Sequence, residues 1–251
     1  MLGKSLFTIA LIFFLPDLFG QGKSNDLQIT PLTGDFYIYT TYNLYEGEKI
    51  PANGMYLVTA KGVVLFDTPW DTAQFQPLLD SIKVRHQKQV VLCISTHFHE
   101  DRTAGLEFYR SQGIKTYTTI LTDSLSKKTN KKRAESLIAK DTIFNIGGYT
   151  FETYYPGPGH SPDNIIIWFN EQQLLYGACL IKSASDDNLG NLGDANKLEY
   201  ASTIKKVQKK CRNPKYIIVG HGDWTDLRSL KHTRVMAEDL RKIKAGKSTM
   251  K

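Results

Sequence analysis

The chain has 251 residues, 41% of them hydrophobic and 23% charged, with a formal net charge of +7. This is ordinary globular composition, which excludes a disordered, collagenous or fibrous protein and suffices for a sizeable α/β core. Three cysteines, Cys93, Cys179 and Cys211, are too few for a disulfide-stapled mini-protein, and the positive charge leaves nucleic acid, an anionic membrane surface or an anionic small substrate to weigh.

Near the N-terminus Lys4 precedes the apolar run LFTIALIFFL (6–15), which Pro16 ends, with Gly20 and Gly22 beyond it. The run is too short to span a bilayer as a helix and reads as a secretory signal peptide over residues 1–20. Residues 21–251 then form one exported, soluble domain with no membrane anchor. No cysteine follows the run, so a lipid anchor is not expected. In an oxidising compartment an odd number of cysteines leaves at least one thiol unpaired, either buried and inert or held by a metal.

Further along, DFYIYTTY (35–42), GMYLVTA (54–60) and GVVLFD (62–67) read as strands, with Gly62 at the turn between the last two. Phe75, Leu78, Leu79 and Ile82 make a helical stripe in 71–86. QVVLCIST (89–96) is the continuous apolar run of a strand buried on both faces, and it stops at His97. A helix over about 103–110, a strand at 114–119 and a basic helix over 120–140 follow. Strands return at 149–156, 164–169 and 173–177. The spacing of Leu198, Ala201, Ile204, Val207 and Cys211 predicts one helix face over 196–211, ahead of a strand at 215–220 and a closing helix at 228–244. Strands alternating with helices indicate a layered α/β domain with helices outside the sheets.

The basic residues gather at 127–140, at 205–212 and in the C-terminal stretch, without the interleaved aromatics of a nucleic-acid groove. They read as solvated surface, so no nucleic-acid partner is expected.

The chemistry gathers in STHFHEDRTAGL (95–106), where His97, His99 and Asp101 alternate just past a buried strand. In an extended segment alternate side chains share a side, so the three can converge, and imidazole and carboxylate are zinc-type ligands. His160 lies in YYPGPGHSPDN, Cys179 in LLYGACLIK and His221 in YIIVGHGDW, each where a strand ends, the place where open α/β folds put their sites. A catalytic zinc takes three protein ligands and an open position, so these six residues make two sites. His86 and His232, on polar helical stretches, stay outside this set. Cys93 and Cys211 fall on buried stripes, where a disulfide between them is left open.

The motifs HFHEDR, PGPGHSPDN, YGACLIKS, LGNLGDAN and GHGDW, in that order, resemble the subclass B1 metallo-β-lactamases over nearly all of the mature chain. That resemblance implies an αββα four-layer sandwich with two mixed sheets inside, and a monomeric periplasmic hydrolase that opens β-lactams with two zinc ions. It assigns His97, His99 and His160 to the first zinc and Asp101, Cys179 and His221 to the second. It further implies that Lys182 pairs with the substrate carboxylate and that Asn191 polarises the lactam carbonyl. A mobile loop at 44–50 would cover the substrate, and Asp67 and Arg102 would steady the metal loops.

The residues fit that chemistry on their own terms. A zinc held by neutral imidazoles can bring its water to a pKa near ~7. The resulting hydroxide attacks the amide carbonyl, Asp101 orients it, and Asn191 helps stabilise the oxyanion. Lys182, close beyond Cys179, supplies a charge for an anionic substrate. Two alternatives remain: a relative of the same fold acting on thioesters, lactones or phosphodiesters, and a non-catalytic exported zinc-binding protein. Relatives of the first kind carry HxHxDH and a bridging Asp, where this chain has Arg102 and Cys179. The second requires closed metal sites, whereas three ligands per metal leave each one open.

Overall fold

Strands buried at every residue need a packed layer on each side of their sheet. Three segments have that character: β4 (Gly62–Phe66), β10 (Ile166–Phe169) and β11 (Leu174–Ala178). The computed structural model describes residues 27–248, and the expected signal segment 1–20 lies outside the described residues.

One mixed sheet runs in sequence order through β1 (Gln28–Thr33), β2 (Phe36–Tyr45), β3 (Glu48–Thr59), β4, β5 (Val90–Ile94), β6 (Lys115–Thr119) and β7 (Ser136–Ile138). Its pairings are antiparallel as far as β4 and parallel beyond. The second sheet has the order β12 (Tyr216–Val219), β11, β10, β9 (Tyr149–Tyr154), β8 (Thr142–Ile146), and only β11 and β12 run parallel.

Strand alternation sorts the apolar residues into three layers of core. Val64 and Phe66 of the first sheet meet Ile167, Phe169 and Tyr176 of the second between the sheets. On the outer face of the first sheet, Val63 and Leu65 pack on Phe75, Leu78 and Ile82 of α1 (Phe75–His86) and on Leu106 and Tyr109 of α3 (Leu106–Ser111). On the outer face of the second, Ile166, Trp168 and Leu175 pack on Ile204 and Val207 of α5 (Tyr200–Lys210) and on Leu230 and Ala237 of α6 (Ser229–Ser248). The result is the αββα sandwich that the resemblance implied. Among the described residues no helix is long and apolar enough to cross a membrane.

Several local expectations are corrected. The basic stretch 120–140 is helical only over α4 (Ile120–Lys128), after which Asn130 takes a left-handed conformation at φ 55° and the chain enters β7. Three of its cations are paired: Lys131 with Glu100 at 3.2 Å, Lys132 with Glu107 at 2.9 Å and Arg133 with Asp123 at 2.7 Å. The helix expected at 103–110 is two short ones, α2 (Glu100–Thr103) and α3, broken where Gly105 fits against Thr68, Phe75 and Tyr109. Helix α5 starts at Tyr200 because Asn196 Oδ1 accepts from the backbone N–H groups of Leu198 and Glu199 and holds an Asx turn there. Leu198 is therefore exposed and off the helix face.

The 44–50 segment is the tip of a continuous β2–β3 hairpin. Tyr45 pairs with Glu48, and Glu46 and Gly47 turn at φ 52° and 85°, the positive values that a tight two-residue hairpin turn requires. Cys93 and Cys211 are both free and buried, one in the outer core of each sheet, so they form no disulfide.

Gly54 on β3 lies against the Tyr39 ring, and a Cβ at that position would fall inside the ring. The Tyr39 hydroxyl in turn donates to the Asp67 carbonyl at 2.8 Å. Gly54→Ala should therefore cost about 1–3 kcal/mol through overpacking, read as a lower denaturant midpoint in chemical unfolding.

Candidate metal centre

The C-terminal ends of β4, β5, β11 and β12 lie along one edge of the sandwich, where two parallel strand pairs deliver their loops. Strand β5 hands over to Ser95, Thr96 and His97, and His99 caps α2, whose first turn holds Asp101. His160 lies on the loop between β9 and β10. Cys179 follows β11 directly, after Ala178 in a left-handed conformation at φ 44°, and His221 follows β12 and Gly220. Gly220 must lack a side chain, because a Cβ there would lie 2.7 Å from the Cys179 sulfur. All six predicted ligands converge, in overlapping groups of three whose donor atoms lie within 4.8 Å of one another.

The imidazoles of His97, His99 and His160 stand edge to face with ring centres 4.8–5.0 Å apart. His99 Nδ1 and His160 Nε2 approach to 3.1 Å, while buried His97 Nε2 has no hydrogen-bond partner at all. A buried imidazole nitrogen without a partner is costly unless something else takes its lone pair, and a metal ion does so. Burial first, and then mutual repulsion with neighbouring cations, holds His97 and His160 well below the usual histidine pKa, so both are neutral and ready to ligate. The second group is tighter. Cys179 Sγ lies 3.2 Å from both Asp101 Oδ2 and His221 Nε2, and the latter two are 3.1 Å apart. This donor set fits a borderline-soft divalent ion such as zinc.

In three of the four rings the far nitrogen explains which atom faces inward; the outer Nδ1 of His160 has no hydrogen-bond partner. Thr96 donates its hydroxyl to Asp67 Oδ2 at 3.1 Å, so that hydroxyl accepts from His97 Nδ1 at 3.2 Å. His99 Nε2 donates to Asp194 Oδ2 at 3.0 Å, and His221 Nδ1 donates to the Pro51 carbonyl at 2.7 Å. Each bond puts the proton on the outer nitrogen and leaves the inner lone pair for a metal. Sequence reading missed Asp194 and Pro51. Asp194 lay within LGNLGDAN, but the Pro51 contact is a backbone carbonyl, which leaves no mark in the sequence.

Arg102 is fully buried among these residues. It donates through Nε to Asp101 at 3.0 Å and to Cys179 Sγ at 3.2 Å, through Nη1 to the Asn53 carbonyl at 2.6 Å, and through Nη2 to the Gly220 carbonyl at 2.9 Å. Burial alone would push the Asp101 carboxyl up, but Arg102 and His221 outweigh it and hold the group well below the carboxylate range. Burial raises Asp67 to about 6, against the opposing pull of Arg102 and of hydrogen bonds from Tyr176 and Thr96.

Lys182 is buried, with its ammonium directed at the loop around Gly190. Burial lowers its pKa, which Cys179, Asp186 and Asp101 partly restore. Next to Gly190, exposed Asn191 donates its amide to the Tyr45 hydroxyl at 3.2 Å, so the hairpin tip reaches across the cleft to this loop. His86 and His232 lie apart from the ligands, His86 bonded to the Tyr56 hydroxyl at 3.0 Å and His232 to the Asp186 carbonyl at 2.7 Å.

Residues 49–221, which include every ligand candidate, match the Metallo-beta-lactamase superfamily, and the chain belongs to that family. Within it, the resemblance to the subclass B1 enzymes extends over nearly the whole chain. A metallo-beta-lactamase type 2 from Elizabethkingia meningoseptica is 41% identical over 235 residues, 93% of this chain and 94% of the relative. Metallo-beta-lactamase IND-1 from Chryseobacterium indologenes is 39% identical over 228 residues, 90% of this chain and 95% of the relative. Among solved structures, a metallo-beta-lactamase from Pontibacter korlensis superposes with a TM-score of 0.82 at 34% identity, covering 85% of this chain and 99% of that one.

Arg102→Ala would leave the Asp101 carboxylate buried without its cation. We expect a loss of about 3–5 kcal/mol in the stability of the metal-free protein, measured by urea unfolding.

Proposed function

We propose that this chain hydrolyses the amide bond of β-lactam antibiotics with two zinc ions as cofactors, acting as a periplasmic monomer once residues 1–20 are removed. The observation that carries the reading is the convergence of all six donor residues at one edge of the sandwich, in overlapping groups of three. His97, His99 and His160 would hold one ion, and Asp101, Cys179 and His221 the other. Three ligands for each ion leave a position for water or substrate. The activity named for relatives that match over most of their length points the same way.

When bound, the metal pair supplies Lewis acidity and a nucleophilic water near neutral pH. The chain's own residues do the rest. Lys182, fixed near the Gly190 loop, holds the substrate carboxylate. Asn191 turns its amide N–H toward the cleft, where a lactam carbonyl can replace the Tyr45 hydroxyl as acceptor. Asp101, kept ionised by Arg102, can accept a hydrogen bond from the attacking water and so orient it. The β2–β3 hairpin meets the Gly190 loop through the Tyr45 contact to Asn191. The buried Arg102, in the position where the thioester, lactone and phosphodiester relatives carry a histidine, also favours the lactam reading.

Zinc-loaded mature protein should hydrolyse a chromogenic cephalosporin, and a chelator should abolish the activity. Failure to turn over any β-lactam would overturn the proposal. Lys182→Ala should raise KM for carboxylated substrates about tenfold, the equivalent of one charge-assisted hydrogen bond, with little change in kcat. An unchanged KM would mean that Lys182 does not contact the substrate.

A further inference from the structure

Asn53 lies on β3 below the hairpin tip, opposite Thr40 of β2, and is 1% exposed. All of its polar atoms are engaged. The backbone N–H donates to the Gly220 carbonyl at 2.8 Å, and the backbone carbonyl accepts from Arg102 and, at 3.3 Å, from the Tyr176 hydroxyl. The side-chain amide donates to the Val219 carbonyl at 3.2 Å and to the Gly222 carbonyl at 2.9 Å. Its Oδ1 accepts from the Thr40 hydroxyl at 2.8 Å.

One side chain of the first sheet thus grips the backbone of the second on both sides of His221. Two residues earlier on the same strand, the Pro51 carbonyl fixes the tautomer of that histidine. No hydrogen bond from Asn53 reaches His97, His99 or His160, which stand on other loops. The bonds of its side chain therefore bear on one half of the centre only.

We propose that Asn53 is a positioning residue for the thiolate half of the metal centre. Its amide sets where His221 stands relative to Cys179 and Asp101. Metal affinity in that half depends on this amide, while affinity in the three-histidine half does not. The inference rests on the two-metal reading above. Asparagine is required because the site needs two donors toward carbonyl oxygens and one acceptor toward a hydroxyl on a single short planar group. Aspartate has the same shape but would turn a carboxylate oxygen toward the Val219 and Gly222 carbonyls.

The test is a titration of metal-free full-length protein with Co²⁺ or Cd²⁺. The thiolate-to-metal charge-transfer absorption reports Cys179, and the cobalt d–d bands report the histidines. In Asn53→Asp the charge-transfer step should weaken about tenfold or more, in line with other partners of metal ligands, with the histidine step within about twofold of the parent. Unchanged affinity at the thiolate step, or equal weakening at both steps, overturns the assignment. If Asn53→Asp fails to fold, Thr40→Val decides by the same criteria, because it frees the Asn53 amide to rotate and should weaken the thiolate step a few-fold. A parent protein that develops no charge-transfer band would instead refute the two-metal reading, and this inference with it.

Discussion

A single buried guanidinium holds the two sheets in register at the edge where the chemistry lies. Arg102 stands in α2 and reaches the Asn53 carbonyl on the first sheet and the Gly220 carbonyl just past the second. An arginine cannot shed its charge in a protein, so burying it is costly unless carboxylates and carbonyls surround it. Asp101 meets that requirement at 2.9 Å and Asp67 lies 3.5 Å away. The ion pair works in both directions, because the same cation keeps Asp101 ionised as a potential metal ligand. An apolar core residue at this position could fill the volume, but it could neither anchor two backbone carbonyls nor hold a carboxylate and a sulfur in place.

Around that anchor three of the histidines are oriented by unlike partners, one of them the neighbouring residue and two from distant parts of the chain. A threonine hydroxyl backed by Asp67 serves His97, an exposed carboxylate on the 189–196 loop serves His99, and a proline carbonyl at the hairpin root serves His221. Each fixes the same property, the position of the ring proton. The hairpin is therefore both a cover, through Tyr45 and Asn191, and a support for the thiolate half, through Pro51 and Asn53. One pair of strands thus carries the Tyr45 contact to Asn191 at its tip and the Pro51 and Asn53 contacts around His221 at its root.

Most of the fold could be read from the sequence where burial was complete or nearly so. The apolar runs of β4, β5, β10, β11 and β12 carried an unambiguous signal, and each predicted ligand lies just past one of these strands or on the loop after β9. Of the edge strands, β1, β7 and β8 were less legible. In β1, Pro31 masks the pattern, and β7 and β8 are short or half exposed, so their apolar content resembles that of loops. The basic 120–140 stretch was read as one helix because lysine is compatible with helix. The terminator at Asn130 and the ion pairs to Glu100, Glu107 and Asp123 are tertiary facts.

The sequence by itself determined the candidate donor residues and where they would emerge, because a residue placed after a buried strand is defined by residue type and hydrophobic pattern alone. Only the tertiary structure decided how closely those donors approach one another, which nitrogen faces inward in His97, His99 and His221, and how closely the second sheet's loops approach the first. These depend on contacts such as Pro51 with His221 and Arg102 with Gly220, made through backbone carbonyls that every residue possesses. A carbonyl has no sequence identity, so its role appears only when the fold brings it within 3 Å of a donor, the usual hydrogen-bond distance.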